Sequence, residues 1–228
     1  MKKTIGFFGD SFCHHTHKDT WTYIVAKHFD ATIINNGLNG SSHWSVILDQ
    51  YKPCDYAVFC WTHPGRLYNH NVTNINYSTA YEPPTNNKHP KIWKAARSYY
   101  DNLIDYRKEE YEYEARIKLF IQQLPKDIPT VHLWSMSKTN WKNYAPSKTA
   151  YPFNFGHGVE IRPALMSVMA GDLDGSPGFN NNHLNTAQKT NMVAEWVING
   201  LEQMSPLIVD YSDDVEKNYK FFDKVKPE

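Results

Sequence analysis

Cysteine is scarce. Only Cys13, Cys54 and Cys60 occur in 228 residues, an odd number with no Cys-x-x-Cys pair. A disulfide framework is therefore not expected, and the thiols are read as reduced. Excess charge is missing too. Lys plus Arg and Asp plus Glu balance at 24 each, which leaves no electrostatic footprint for nucleic acid or an anionic membrane. No run approaches the roughly 18 apolar residues that a membrane span needs. The apolar part of "MKKTIGFFGD" is too short for a signal peptide. These absences predict a cytoplasmic chain with neither nucleic acid nor membrane as partner. Internal repeats and low-complexity tracts are absent as well. Aromatic residues, in contrast, make up 14% of the chain, with seven Trp and fifteen Tyr. They can fill a core, and they also suit a surface that stacks on sugars or other rings.

The apolar pattern alternates between short runs and amphipathic stretches. "KTIGFF" (3–8), "ATIIN" (31–35), "DYAVFCW" (55–61) and "PTVHLWSM" (129–136) read as strands. The third is almost wholly apolar, as a strand covered on both faces should be. Between them, 19–29 reads as a helix capped by Asp19 or Thr20, with Trp21, Ile24, Val25 and His28 on one face. A second helix is expected over 43–51, one long helix over 95–124 and a last one over 185–204. In the long helix, apolar residues including Leu103, Ile104, Ile117 and Phe120 gather at the ends, and "RKEEYEYEAR" is expected to be solvated. Such alternation argues for an α/β fold, a parallel sheet wrapped by helices. The pattern predicts one domain over 1–204, a polar aromatic insert at about 62–94, and a charged tail over 205–228. An insert of that length is usually functional or disordered.

Ligand sites in open parallel sheets form outside the carboxyl ends of the strands. Three sequence blocks fall at such ends: "GDSF" (9–12), "NNGLNG" (35–40) and "WTHPGR" (61–66). A fourth, "NNNHLN" (180–185), precedes the last helix. Ser11 and His183 can meet at that rim although they are far apart in sequence. Asp10 is expected to hold the turn through hydrogen bonds to backbone. Arg66 could clamp an acidic substrate or pair with an acidic side chain of the long helix. "CHHTHKD" (13–19) offers His14, His15, His17 and Asp19, but no second cluster with clear ligand spacing accompanies it, and a polar loop lining the cleft is the expectation. Cys13 is read as a buried bystander.

These blocks, in this order, resemble those of the SGNH (GDSL-type) hydrolases, especially divergent members from phages and bacteria. The resemblance spans residues 9 to 183. It implies a three-layer α/β/α flavodoxin-like fold with a mainly parallel sheet. It further implies Ser11 as nucleophile, Gly40 as a backbone donor to the oxyanion, and His183 as catalytic base. Two positions depart from the family pattern. His63, beside Thr62, stands where the family has an oxyanion Asn, and either side chain can donate a hydrogen bond. Asn180 stands where the family has the Asp of DxxH, so Asn180 itself, or Asp172 or Asp174 nearby, would orient His183. The implied chemistry is hydrolysis of carboxylic esters through an acyl-enzyme, with no cofactor and no metal. The Tyr- and Asn-rich insert suits an acyl ester of a carbohydrate as substrate. Two other readings share these residues: a non-catalytic module binding a glycan or a protein, and an O-acyltransferase. Oligomeric state is left open.

Overall fold

The computed structural model describes residues 2–14, 18–135, 156–162, 165, 184, 187–203 and 207–211. Its centre is a six-stranded sheet. In chain order the strands are β1 (Thr4–Gly9), β2 (Thr32–Asn36), β3 (Tyr56–Trp61), β6 (Thr130–Trp134), β7 (Val159–Arg162) and β8 (Leu207–Asp210). In space they run β2-β1-β3-β6-β7-β8, and every pairing is parallel. The chain thus leaves β1 towards one edge, returns, and continues on the other side. That reversal between β1 and β3 is the topological switch point, where an open α/β sheet parts its loops and leaves a crevice.

Helices cover both faces, as a parallel sheet requires. On one face, α1 (Trp21–His28) and α6 (Ala187–Gln203) bury Trp21, Val25, Val193, Trp196 and Val197 against Ile5, Phe7, Val58, Val131 and Leu133. On the other, α5 (Tyr106–Gln122) buries Tyr113, Ile117, Phe120 and Ile121 against Phe8, Ala57, Phe59 and Trp61. A short α2 (His43–Ser45) runs directly into a single π-helical turn, 46–50, beside this second layer. The architecture is the expected three-layer α/β/α arrangement.

Three features depart from the sequence pattern. The long helix is two: α4 (Pro90–Asn102) ends, and α5 begins after Asp105, whose carboxylate accepts from the Arg107 and Lys108 N–H groups at 3.0 and 3.2 Å. Leu103, expected inside, sits at that break and is 73% exposed. The insert is not a bare loop. It forms a hairpin of β4 (Leu67–Asn69) and β5 (Val72–Ile75), then α3 (Tyr77–Tyr81), and packs Ile75, Ala80, Trp93, Ala96 and Tyr100 into a small core of its own. Finally, the sheet extends past residue 204, because β8 pairs with β7 and Tyr211 stacks on Trp196. Among the described residues, no helix is long and apolar enough to cross a membrane.

Candidate active site

The carboxyl end of β1 is fixed by its backbone. The Gly9 N–H donates to Gln50 Oε1 at 2.9 Å. Its carbonyl accepts from the Leu38 N–H at 2.9 Å, Ser41 Oγ at 2.7 Å and Gln50 Nε2 at 3.1 Å. The block after β2 is thereby tied to the end of β1. Gly9 has no alternative: a Cβ there would lie 2.5 Å from the Cys60 carbonyl oxygen of β3.

Asp10 is completely buried. Its Oδ1 accepts from the Phe12 N–H at 3.1 Å and from Ser135 Oγ at 2.8 Å. Its Oδ2 accepts from Arg66 Nη1 at 3.1 Å, and the same Nη1 donates to the Ser41 carbonyl at 3.1 Å. The Phe12 bond is the turn-holding contact expected of this Asp. The partnership with Arg66 is different from both roles read for that Arg. Its guanidinium pairs with the acid of the GDSF turn, and its side chain is only 9% exposed. A buried carboxylate needs such a partner to remain charged. The Asp10 carbonyl accepts from the Cys13 and His14 N–H groups at 3.1 and 3.2 Å, so Ser11 begins a single closed turn. Ser11 is half-buried there. Cys13 is fully buried, and burial, with Cys60 beside it, pushes its thiol well up. A thiol raised in this way is a poor nucleophile, which fits the bystander reading.

Gly40 lies in the left-handed region, at φ +69, and a Cβ on it would lie 2.2 Å from the Cβ of Asn74 in the insert. Its N–H donates to no acceptor among the described residues. Thr62 and His63 follow β3. Thr62 is buried, its carbonyl accepts from Tyr113 Oη at 2.5 Å, and its Oγ1 has no hydrogen-bond partner among the described residues. His63 Nδ1 accepts from the Gly65 N–H at 2.9 Å. Burial, and then the nearby Arg66 charge, pull the His63 pKa down to about 4. The ring is therefore neutral at pH 7 with its proton on Nε2, a donor.

Ser11, Gly40, Thr62, His63 and Arg66 thus gather at one rim, the carboxyl ends of β1, β2 and β3. His183, Asn180, Asp172 and Asp174 lie outside the described residues, as do His15 and His17. Leu184, next to His183 in sequence, is buried in the apolar cluster that contains Phe12 and Cys13. Among the described residues no group of three or more His, Cys, Asp or Glu side chains is placed to hold a metal ion.

Sequence reasoning missed three participants: Ser135 on Asp10, Tyr113 on Thr62, and Asn74 against Gly40. Tyr113 falls inside the stretch read as solvated, yet it is 2% exposed. Its spacing of four from Ile117 was the available signal. Comparison with protein-family models, with curated proteins and with solved structures finds no match to this chain.

Proposed function

We propose that this chain is an SGNH-type serine hydrolase of carboxylic esters. The observation that carries the reading is the placement of Ser11. It opens a closed turn at the end of β1, at the switch point, with Gly40 drawn to the same rim through the bonds from Leu38 and Ser41 to the Gly9 carbonyl. The Gly40 N–H, without an acceptor among the described residues, is what a developing oxyanion would use.

In this reading Ser11 Oγ attacks the ester carbonyl and His183 takes its proton. The tetrahedral oxyanion accepts from the Ser11 and Gly40 N–H groups, and Thr62 or His63 adds a donor. Collapse expels the alkoxide, which leaves as the alcohol with the proton from His183. Water then enters by the same route and releases the acid. Asn180 or Asp174 orients His183. Arg66 serves the turn through Asp10 and is not spent on substrate. The insert supports an acyl ester of a carbohydrate: it borders Gly40 through Asn74 and carries Tyr77, which is 46% exposed.

The deciding experiment is hydrolysis of p-nitrophenyl esters, acetyl through octanoyl, by the wild type and Ser11→Ala, together with labelling by a fluorophosphonate. Turnover and labelling that both vanish in Ser11→Ala are expected. A wild type that neither turns over an ester nor takes the label would make the rim a binding module, the reading that the replacements at His63 and Asn180 favour. Acyl transfer would show instead as acylated sugar when a glycan acceptor is added.

A further inference from the structure

β2 ends before β1 does. Their register stops at Phe7 and Asn36, while β1 continues to Gly9. On that side the Gly9 peptide has no neighbouring strand, and a side chain takes the strand's place. The Gly9 N–H donates to Gln50 Oε1 at 2.9 Å, and Gln50 Nε2 donates to the Gly9 carbonyl at 3.1 Å. The primary amide thus pairs with Gly9 as a backbone peptide would, through one acceptor and one donor. Because the N–H can only donate, Oε1 must face it, and Nε2 must face the carbonyl.

Gln50 reaches this place through a local irregularity. It closes the single π-helical turn, 46–50, in which the Tyr51 N–H reaches back to the Val46 carbonyl at 3.0 Å. Such turns are frequent at functional sites. The Gln50 side chain is buried. Its carbonyl accepts from Asn35 Nδ2 at 3.3 Å, and Asn35 Oδ1 accepts from the Gly37 N–H at 2.8 Å. Backbone and side chain of Gln50 are therefore both tied to the rim.

The restraint exceeds what a strand end needs. The Gly9 carbonyl has two lone pairs and takes three donors, from Leu38, Ser41 and Gln50. Asp10, the next residue, is held by Phe12, Ser135 and Arg66. Beyond Ser11, the Phe12 carbonyl accepts from Trp21 Nε1 at 2.9 Å. Ser11 sits half-buried between these fixed neighbours. A reacting group must be kept within about half an ångström of its productive place, and locked neighbours are the means.

We propose that Gln50 is a positioning residue whose side-chain amide clamps the Gly9 peptide and so sets the start of the turn from which Ser11 reacts. This rests on the ester-hydrolase reading. Gln50 acts through Gly9 and not on the substrate, so its loss is expected in kcat and not in KM.

The test uses the full chain with Gln50→Leu and Gln50→Glu. Leu fills a similar volume and removes both bonds to Gly9. Glu keeps an acceptor for the Gly9 N–H, but its second oxygen meets the Gly9 carbonyl oxygen. Only the protonated carboxyl can donate there, so the clamp returns as pH falls. Turnover of the p-nitrophenyl ester that the wild type prefers is followed from about pH 6 to 9. It is expressed per folded molecule, with the folded fraction taken from near-UV circular dichroism. Gln50→Leu is expected to lose about 10–10² in kcat, with KM changed by less than about threefold. Gln50→Glu should exceed Gln50→Leu at pH 6 and fall towards it as pH rises. Fluorophosphonate labelling of Ser11 should follow the same order. A clamp that serves the fold alone would lower the urea midpoint and leave kcat per folded molecule within about threefold of the wild type. That result would overturn the proposal and leave the hydrolase reading standing. Gln50→Glu no more active than Gln50→Leu at pH 6 would overturn it too, as would a loss confined to KM. A wild type inert to both ester and fluorophosphonate would overturn both readings together.

Discussion

Arg66 is the residue through which the candidate site and the fold depend on each other. It joins the loop after β3 to the Asp10 carboxylate and the Ser41 carbonyl. Removing it leaves a fully buried carboxylate with, among the described residues, the Phe12 N–H and the Ser135 hydroxyl as its partners. An uncompensated buried charge of this kind costs about 3–5 kcal/mol. Arg66→Ala is therefore expected to lower the urea midpoint by that equivalent, and Arg66→Lys to recover only part of it, since an ammonium cannot match the planar fork. Equal stability of Arg66→Ala and wild type would mean that the Arg66–Asp10 pair does not hold the turn. The same residue shows the limit of reading a sequence. An Arg in a loop is open to any acid, and its choice of Asp10, 56 positions earlier, needs β1 and β3 to be neighbours.

At the scale of elements, the break between α4 and α5 shapes the insert. Continuous helix from 95 to 124 would satisfy the periodicity. Asp105 instead caps a new helix, and Tyr100 Oη, donating to the Gly65 carbonyl at 2.7 Å and the Ile75 carbonyl at 3.3 Å, turns α4 onto the hairpin. Asp105→Ala removes the acceptor of two N–H groups and is expected to cost about 1 kcal/mol. Thermal unfolding should record that as a fall in Tm of about 2–4 °C for a chain of this size. An Asp followed by a helical pattern is the local mark of such a cap, and the reading of one continuous helix passed over it. The apolar pair Leu103–Ile104 hid it by appearing to continue the buried face. Leu103 is in fact solvent-facing, because a helix that stops there no longer controls which way it points.

For the molecule as a whole, buried imidazoles set the response to acid. His43 stacks on Trp44 and meets the edge of Tyr113, and its two ring nitrogens have no partner among the described residues. Burial, then the Arg116 charge, lower its pKa to about 3. Burial lowers that of His132, inside the sheet, to about 3 against a raising bond to the His157 carbonyl, and His63 lies at about 4. Each is neutral in the fold but takes a proton near pH 6.5 when unfolded. The unfolded chain therefore binds more protons between these values. Stability is at its full value above about pH 6.5 and falls as pH drops towards 4, by roughly 1 kcal/mol per pH unit for each imidazole. Urea unfolding at pH 7.5, 6 and 5 should show this slope. In His43→Phe, which keeps an aromatic ring against Trp44 and Tyr113, the slope should lose one proton's share. An unchanged slope would assign the acid response to other groups.

The first, second, third and sixth strands and their order in the chain were legible in the sequence because a strand buried on both faces must be apolar along its length, and "DYAVFCW" and "PTVHLWSM" have few other uses; β4, β5, β7 and β8, short and less apolar, were not. Gly9 and Gly40 stood out as members of the motif blocks, and the structure adds that another backbone or side chain comes too close at each for a Cβ. Contacts between distant segments were not. Asp10 with Arg66 and Ser135, Tyr113 with Thr62, and Asn74 with Gly40 each join residues more than 30 positions apart. Such pairs carry no local signature, because what selects them is proximity after the sheet has formed. The apolar alternation was enough to give a parallel sheet wrapped by helices, and the strand-end placement of "GDSF", "NNGLNG" and "WTHPGR" was enough to put those three blocks at one rim. Which polar side chains there are consumed in holding the turn, as Asp10, Arg66 and Ser135 are, follows from the packing of β1, β3 and β6 side by side.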